Sequence, residues 1–93
     1  MDGAPTTDED VKEAQRCAQQ SLSRARLAHT RSGLAHERAA DAHEHAATAK
    51  EALARRVNEV DAVRLRREAQ VHREAAAGDR RAALLEREHA AEL

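Results

Sequence analysis

The chain has no Phe, Tyr, Trp or Ile, and only one Cys, one Pro and three Gly among its 93 residues. Without aromatic residues, the side chains that usually anchor a compact core are missing. The single cysteine, Cys17, excludes a disulfide within the chain and a zinc site built from thiolates, and it is typical of a reducing compartment. We expect Cys17 to be a small exposed residue beside the helix contact.

The apolar content is made mostly of small side chains. Hydrophobic residues account for 41% of the chain, but more than half of them are Ala, and the large aliphatics are eight Leu and five Val. No apolar run approaches the roughly 18 residues of a membrane span. The formal net charge of −1 provides no general attraction to nucleic acid or to an anionic membrane. With no secretory signal evident, these features predict a soluble cytoplasmic protein without a membrane partner.

A seven-residue repeat runs from Leu27 to Leu53, where LAHTRSG is followed by LAHERAA, DAHEHAA and TAKEAL. A repeat of seven sustained over several turns is typical of a coiled coil, because 3.5 residues per turn keep one face towards a partner helix. We expect the second, third and sixth positions of the repeat to form that face. These positions hold Ala28, Ala35, Ala42 and Ala49; His29, His36, His43 and Lys50; and Ser32, Ala39, Ala46 and Leu53.

The pattern therefore predicts an all-α fold with one long, Ala-rich amphipathic helix over residues 7–77. Residues 1–6 are expected to be disordered, and Thr6 with Glu9 forms a candidate capping box at the helix start. Gly78 and Asp79 mark a possible turn at 78–79 before a short helix over 80–93. As an alternative, Ser32-Gly33 bends the chain into a helical hairpin. We favour a helix that passes through Gly33, because the repeat continues across it.

The best apolar contact surface is expected between Leu53 and Val71, where large aliphatics replace Ala and His at the helix face. Arg64 and Arg67 interrupt this stretch, so the face drifts there. The residues predicted to contact a partner helix, which is either a second copy of the chain or another helical protein, are Leu22, Leu53, Val57, Val60, Val63 and Val71.

Three histidines spaced seven residues apart, His29, His36 and His43, are the most distinctive side chains. Because seven helical residues rise by about 10.5 Å, no two of them can share an ion within one helix. A metal site at this row requires ligands from another helix. A response to pH is the other functional reading, with assembly weakening on acidification because protonated histidines repel along a shared face. The simplest interpretation is that the three histidines are polar residues tolerated in a repeat that expanded by duplication.

The second half of the chain is rich in Arg, which suits phosphate binding. Carboxylates are interleaved with these arginines and no aromatic residue is present to stack on a base, so nucleic-acid binding is the weaker interpretation. No phosphate-binding loop, HExxH zinc helix or nucleophile motif occurs. The sequence predicts a non-catalytic assembly or adaptor protein that needs no cofactor. The alternatives are a His-dependent metal- or pH-responsive binding protein and a weak nucleic-acid binder.

Overall fold

Two helices fold back on each other as an antiparallel hairpin in the computed structural model, which describes residues 7–93. The first helix, α1, spans Asp8–Ala54, and the second, α2, spans Glu59–Glu92. Within residues 7–93 there is no strand, and the prediction of an all-α chain with a long helix followed by a shorter one is confirmed. Two predictions, the disorder over residues 1–6 and the helix cap at Thr6, fall on residues outside the described part of the chain.

The start of α1 is set by a capping box one residue later than the predicted one. The Thr7 hydroxyl accepts a hydrogen bond from the Asp10 backbone N–H at 3.1 Å, and the Asp10 carboxylate accepts one from the Thr7 N–H at 3.2 Å. Asp8, Glu9 and Asp10 place negative charge in the first turn, where the helix dipole favours it.

The chain reverses at residues 55–58, so the prediction of one continuous helix over 7–77 is wrong. At the end of α1, the backbone N–H groups of Arg55 and Arg56 donate to carbonyls three residues earlier, which tightens the last turn. The side chain of Asn58 then caps α2 by accepting a hydrogen bond from the Asp61 N–H at 2.9 Å. Val57, which precedes the cap, packs against the buried cluster of Ala54, Ala62 and Leu65.

Neither internal glycine interrupts a helix. The prediction that α1 passes through Gly33 is confirmed, and the alternative hairpin bent at Gly33 is wrong because the bend lies at 55–58. The possible turn at 78–79 is also absent, since Gly78 and Asp79 both lie within α2. The short final helix predicted over 80–93 is therefore the last part of α2.

The two helices differ in length, so the hairpin is uneven at its open end. α1 has 47 residues and α2 has 34. The Arg26 side chain donates a hydrogen bond to the backbone carbonyl of Leu93, where the chain leaves α2. Residues 8–24 of α1 extend beyond this point and are exposed. Neither α1 nor α2 carries an apolar stretch suited to crossing a membrane.

Candidate functional site

The contact between the helices is made by small residues, which we call the alanine seam. Each helix contributes four buried positions spaced seven apart, and α2 adds one large side chain, Leu65. Small side chains allow close approach of two helices but bury little apolar area. The seam consists of Gly33, Ala40, Ala47 and Ala54 in α1 and Ala62, Ala69, Ala76 and Ala83 in α2.

The seam runs in matched steps of seven in opposite directions along the two helices. At the open end, a Cβ placed on Gly33 would lie 3.6 Å from the Ala83 carbonyl oxygen and 3.5 Å from the Glu86 Cβ. At the turn, Ala54, Ala62 and Leu65 form one buried cluster. The predicted contact face was therefore partly misplaced: its second position, which includes Ala35 and Ala49, is exposed, and the buried column is the seventh.

The predicted histidine column borders the seam, and α2 supplies a polar partner for each member. We call His29, His36, His43 and Lys50, with the α2 groups that face them, the histidine row. His29 Nδ1 lies 2.5 Å from a Glu86 carboxylate oxygen, and His36 Nδ1 lies 2.9 Å from Asp79. Lys50 donates to Glu68 at 2.8 Å. The row is half-buried, and its members are held apart by the rise of α1 rather than gathered into one site.

The third layer of the histidine row pairs two imidazoles. His43 Nδ1 and His72 Nδ1 are 2.8 Å apart, and the ring centroids are separated by 5.1 Å. A neutral imidazole carries one donor and one acceptor nitrogen, whereas a protonated imidazole has two donors. The hydrogen bond therefore requires at least one neutral ring. The nearest carboxylate oxygen of Asp79 is 3.9 Å from His43 Nε2.

A row of ion pairs borders the other side of the seam. Glutamates spaced by seven on α1 face arginines spaced by seven on α2, which is the arrangement of flanking charges in a coiled coil. Arg73 donates to Glu44 at 2.7 Å and to Glu51, and Arg80 donates to Glu44 at 3.1 Å. At the open end, Arg87 pairs with Glu37. These contacts favour the observed packing of the two helices, in which each of these arginines faces a glutamate of α1.

Three pKa values are displaced by contacts across the hairpin. The hydrogen bond from Lys50 lowers the pKa of Glu68, with its charge and Arg64 acting in the same direction and burial opposing them. The hydrogen bond with His29 lowers the pKa of Glu86, and a hydrogen bond with Ser32 lowers it further. Burial of the carboxylate raises the pKa but has a smaller effect than the hydrogen bond with His29. The hydrogen bond to Glu51 raises the pKa of Arg73. In each case the contact across the hairpin stabilises the charged form of the side chain, and the displaced pKa is the result.

At the open end, two helices bring three metal-ligating side chains together. His29 comes from α1, whereas Glu86 and His89 lie three residues apart on α2 and so share a face. One ligand atom from each residue lies within 4.8 Å of the other two. The rings of His29 and His89 are edge-to-face, with centroids 5.4 Å apart. His29 was predicted from the sequence, whereas Glu86 and His89 were not, and their E-x-x-H spacing was the available signal.

The residues predicted to contact a partner lie mainly on the outside of the hairpin. Four of them surround the turn and form what we call the hairpin tip: Leu53, Val57, Val60 and Val63. Val57 is half-buried against the cluster of Ala54, Ala62 and Leu65, whereas Leu53 and Val60 are exposed, Val60 to 81%. Leu22 and Val71 lie away from the tip and are also exposed. None of the six belongs to the alanine seam, so their role in binding a partner stays a prediction.

Several arginines of the predicted basic region are engaged by carboxylates. Arg64 lies 3.2 Å from Glu68, and Arg66 lies 3.4 Å from Glu59. Such pairs compete with phosphate for the guanidinium groups. Cys17 is exposed on the extension of α1, and its thiol donates to Glu13 across 3.7 Å.

Comparison with known proteins finds no matching family model and no significantly similar curated protein or solved structure.

Proposed function

We propose that the chain is a non-catalytic assembly element in which the hairpin tip docks onto a second copy of the chain. One observation carries this proposal. Ten of the chain's thirteen Leu and Val side chains are at least 37% exposed, whereas Leu65 is the large aliphatic that the hairpin buries. Exposed aliphatic groups of this kind mark protein interaction surfaces when they cluster.

The tip is the part of the described surface where the largest number of such side chains falls within a short stretch of the chain. Leu53, Val57, Val60 and Val63 lie within eleven residues that include the turn, and Val60 is the most exposed large hydrophobic residue of those described. A patch at the tip of a hairpin can meet its own copy about a twofold axis, because each tip offers the same apolar surface. Burial of Val60 and Leu53 against a second tip removes apolar area from water.

The grooves along the described surface support a non-catalytic role. The groove lined by Glu37, Asp41, Arg80 and Arg87 is open, and its charged groups are paired with one another. Catalytic sites usually shield the reacting groups from water, and a trough of mutually neutralised charges offers little such shielding.

Sedimentation equilibrium of the full chain tests the proposal. At about 100 µM protein, tenfold above a Kd of about 10 µM, the wild type should sediment mostly as a dimer. The double variant Leu53→Asp/Val60→Asp should sediment as a monomer with unchanged helical circular dichroism, because both side chains are exposed in the hairpin. Val57 is left intact since it packs at the start of α2.

The matched control is Leu27→Asp/Leu34→Asp, which adds the same two charges on exposed leucines near the open end. It should keep the wild-type mass. A monomeric wild type contradicts self-assembly, and a dimer that is lost in the control but retained in the tip variant contradicts docking through the tip.

A further inference from the structure

The cluster at the open end of the hairpin combines residues that neither helix provides alone. His29 on α1 lies against Glu86 on α2, with 2.5 Å between Nδ1 and a carboxylate oxygen, and His89 lies one turn further along α2. His29 and Glu86 are half-buried and His89 is exposed. One side of the cluster is therefore fixed by packing while the other is open to solvent.

We propose that His29, Glu86 and His89 bind a divalent transition-metal ion of the zinc class. Two imidazoles and one carboxylate form a ligand set that suits zinc, and nickel and copper also accept imidazole. The three ligand atoms lie within 4.8 Å of one another. Around a bound zinc ion they would be closer than this limit, because each zinc–ligand bond is about 2.0–2.2 Å long. The site would form by rotation of the exposed His89 ring towards the other two ligands and by separation of the His29 and Glu86 atoms, which lie 2.5 Å apart in the hydrogen-bonded pair. Three protein ligands leave the remaining coordination position to water.

The other layers of the histidine row are less suited to a metal. Asp79 uses one oxygen towards His36 at 2.9 Å and the other towards His43 at 3.9 Å, so it is shared between two layers. Among the described residues, His43 and His72 belong to no group of three ligands whose atoms lie as close together as those of His29, Glu86 and His89. At the open end, in contrast, α2 supplies two ligands one helical turn apart, and these converge on a single histidine of α1.

The ion would join α1 to α2 at the end opposite the turn. Two of its ligands, His29 and Glu86, lie 57 residues apart in the sequence. A bound ion therefore closes a loop of the chain that contains the turn and the seam. An ion that binds the folded chain more tightly than the unfolded chain raises stability by mass action. The proposal is independent of assembly through the tip, because all three ligands belong to one hairpin.

The test is calorimetric titration of chelator-treated full-length protein with zinc chloride, combined with thermal unfolding. A Cys17→Ser background removes the single thiol as a competing ligand. We expect one zinc ion per chain and a rise of about 5 °C or more in the unfolding midpoint at saturating zinc. His29→Ala and His89→Ala should each weaken zinc binding by about tenfold or more.

His45→Ala is the matched control, because His45 is exposed and lies outside the cluster. It should bind zinc as tightly as the background protein. Because His89 is exposed, His89→Ala should leave helicity unchanged. A loss of zinc binding in this variant can therefore be distinguished from a loss of folding. The proposal is overturned by the absence of zinc binding, by a ratio of one ion to two chains, or by equal losses in the His45 and His89 variants.

Discussion

His43 on α1 and His72 on α2 meet across the hairpin through their Nδ1 atoms, 2.8 Å apart. One ring must donate and the other must accept, so protonation of both rings replaces a hydrogen bond with two opposed donors. The neighbouring histidines His29 and His36 face carboxylates instead. Among the described residues, this is the layer of the column in which two imidazoles face each other, and the repulsion on acidification expected from the sequence stays a prediction.

Replacing His72 by Leu should destabilise the hairpin. The substitution removes the hydrogen bond between the two Nδ1 atoms and leaves His43 without that partner in a half-buried position, so we expect a loss of about 1 kcal/mol. Urea unfolding of both proteins measures the difference, and equal free energies of unfolding would refute the role of this pair.

The Lys50–Glu68 contact predicts an effect of pH on stability. Because the pKa of Glu68 is lowered from 4.5 in the folded chain, chiefly by the hydrogen bond from Lys50, its contribution is present above the ordinary glutamate pKa and is lost as pH falls through the folded value. Thermal unfolding below about pH 4.5 should therefore show a decline that Glu68→Gln reduces. Glu88→Gln, at an exposed position of α2, should leave the decline unchanged.

Replacing either internal glycine by alanine should stabilise the hairpin. A Cβ at Gly33 meets atoms no closer than 3.5 Å, and one at Gly78 meets only the flexible end of Arg81 at 3.8 Å. Alanine is favoured over glycine inside a helix by about 1 kcal/mol, which corresponds to about 4–8 °C in the unfolding midpoint of a domain of this size. Lower midpoints for both variants would indicate turns at these sites.

The alanine seam should reject large side chains. Ala47 is fully buried, so Ala47→Leu forces the helices apart and should destabilise the hairpin by about 1–3 kcal/mol. Ala49→Leu makes the same change two residues away at an exposed position and should have little effect on unfolding. Equal stabilities for the two variants in urea unfolding would show that Ala47 does not face α2.

Features determined by residues close together in the sequence were predicted better than features that depend on contact between the two helices. The heptad repeat predicted the helix and its passage through Gly33, and Thr6 with Glu9 predicted a capping box one residue before the observed pair, Thr7 and Asp10. The turn was missed because it contains neither Gly nor Pro. Its signals are the Asn58 cap and the apolar Val57 that precedes it, which are weaker than a glycine.

The contact face was harder to predict, because a seven-residue repeat produces several columns of Ala at once. Ala35 and Ala40 look alike in the sequence, and only the matching column of α2 distinguishes the buried one. The expectation that large aliphatics face the partner helix also misdirected the assignment. In this hairpin Ala packs inside, whereas Val60 and Val71 point outwards. The cluster of His29, Glu86 and His89 was missed for the same reason, since it exists only when α2 folds back on α1.

The hairpin itself is tested most directly by the distance between spin labels at Arg31 and Glu88, both exposed, in a Cys17→Ser background. Helices packed side by side have axes about 8–10 Å apart, so the labels should lie within about 30 Å of each other. The distance should persist when labelled protein is diluted with unlabelled protein, because both labels belong to one chain. A separation near 85 Å, as in one continuous helix, or a short distance that disappears on dilution, would contradict the hairpin.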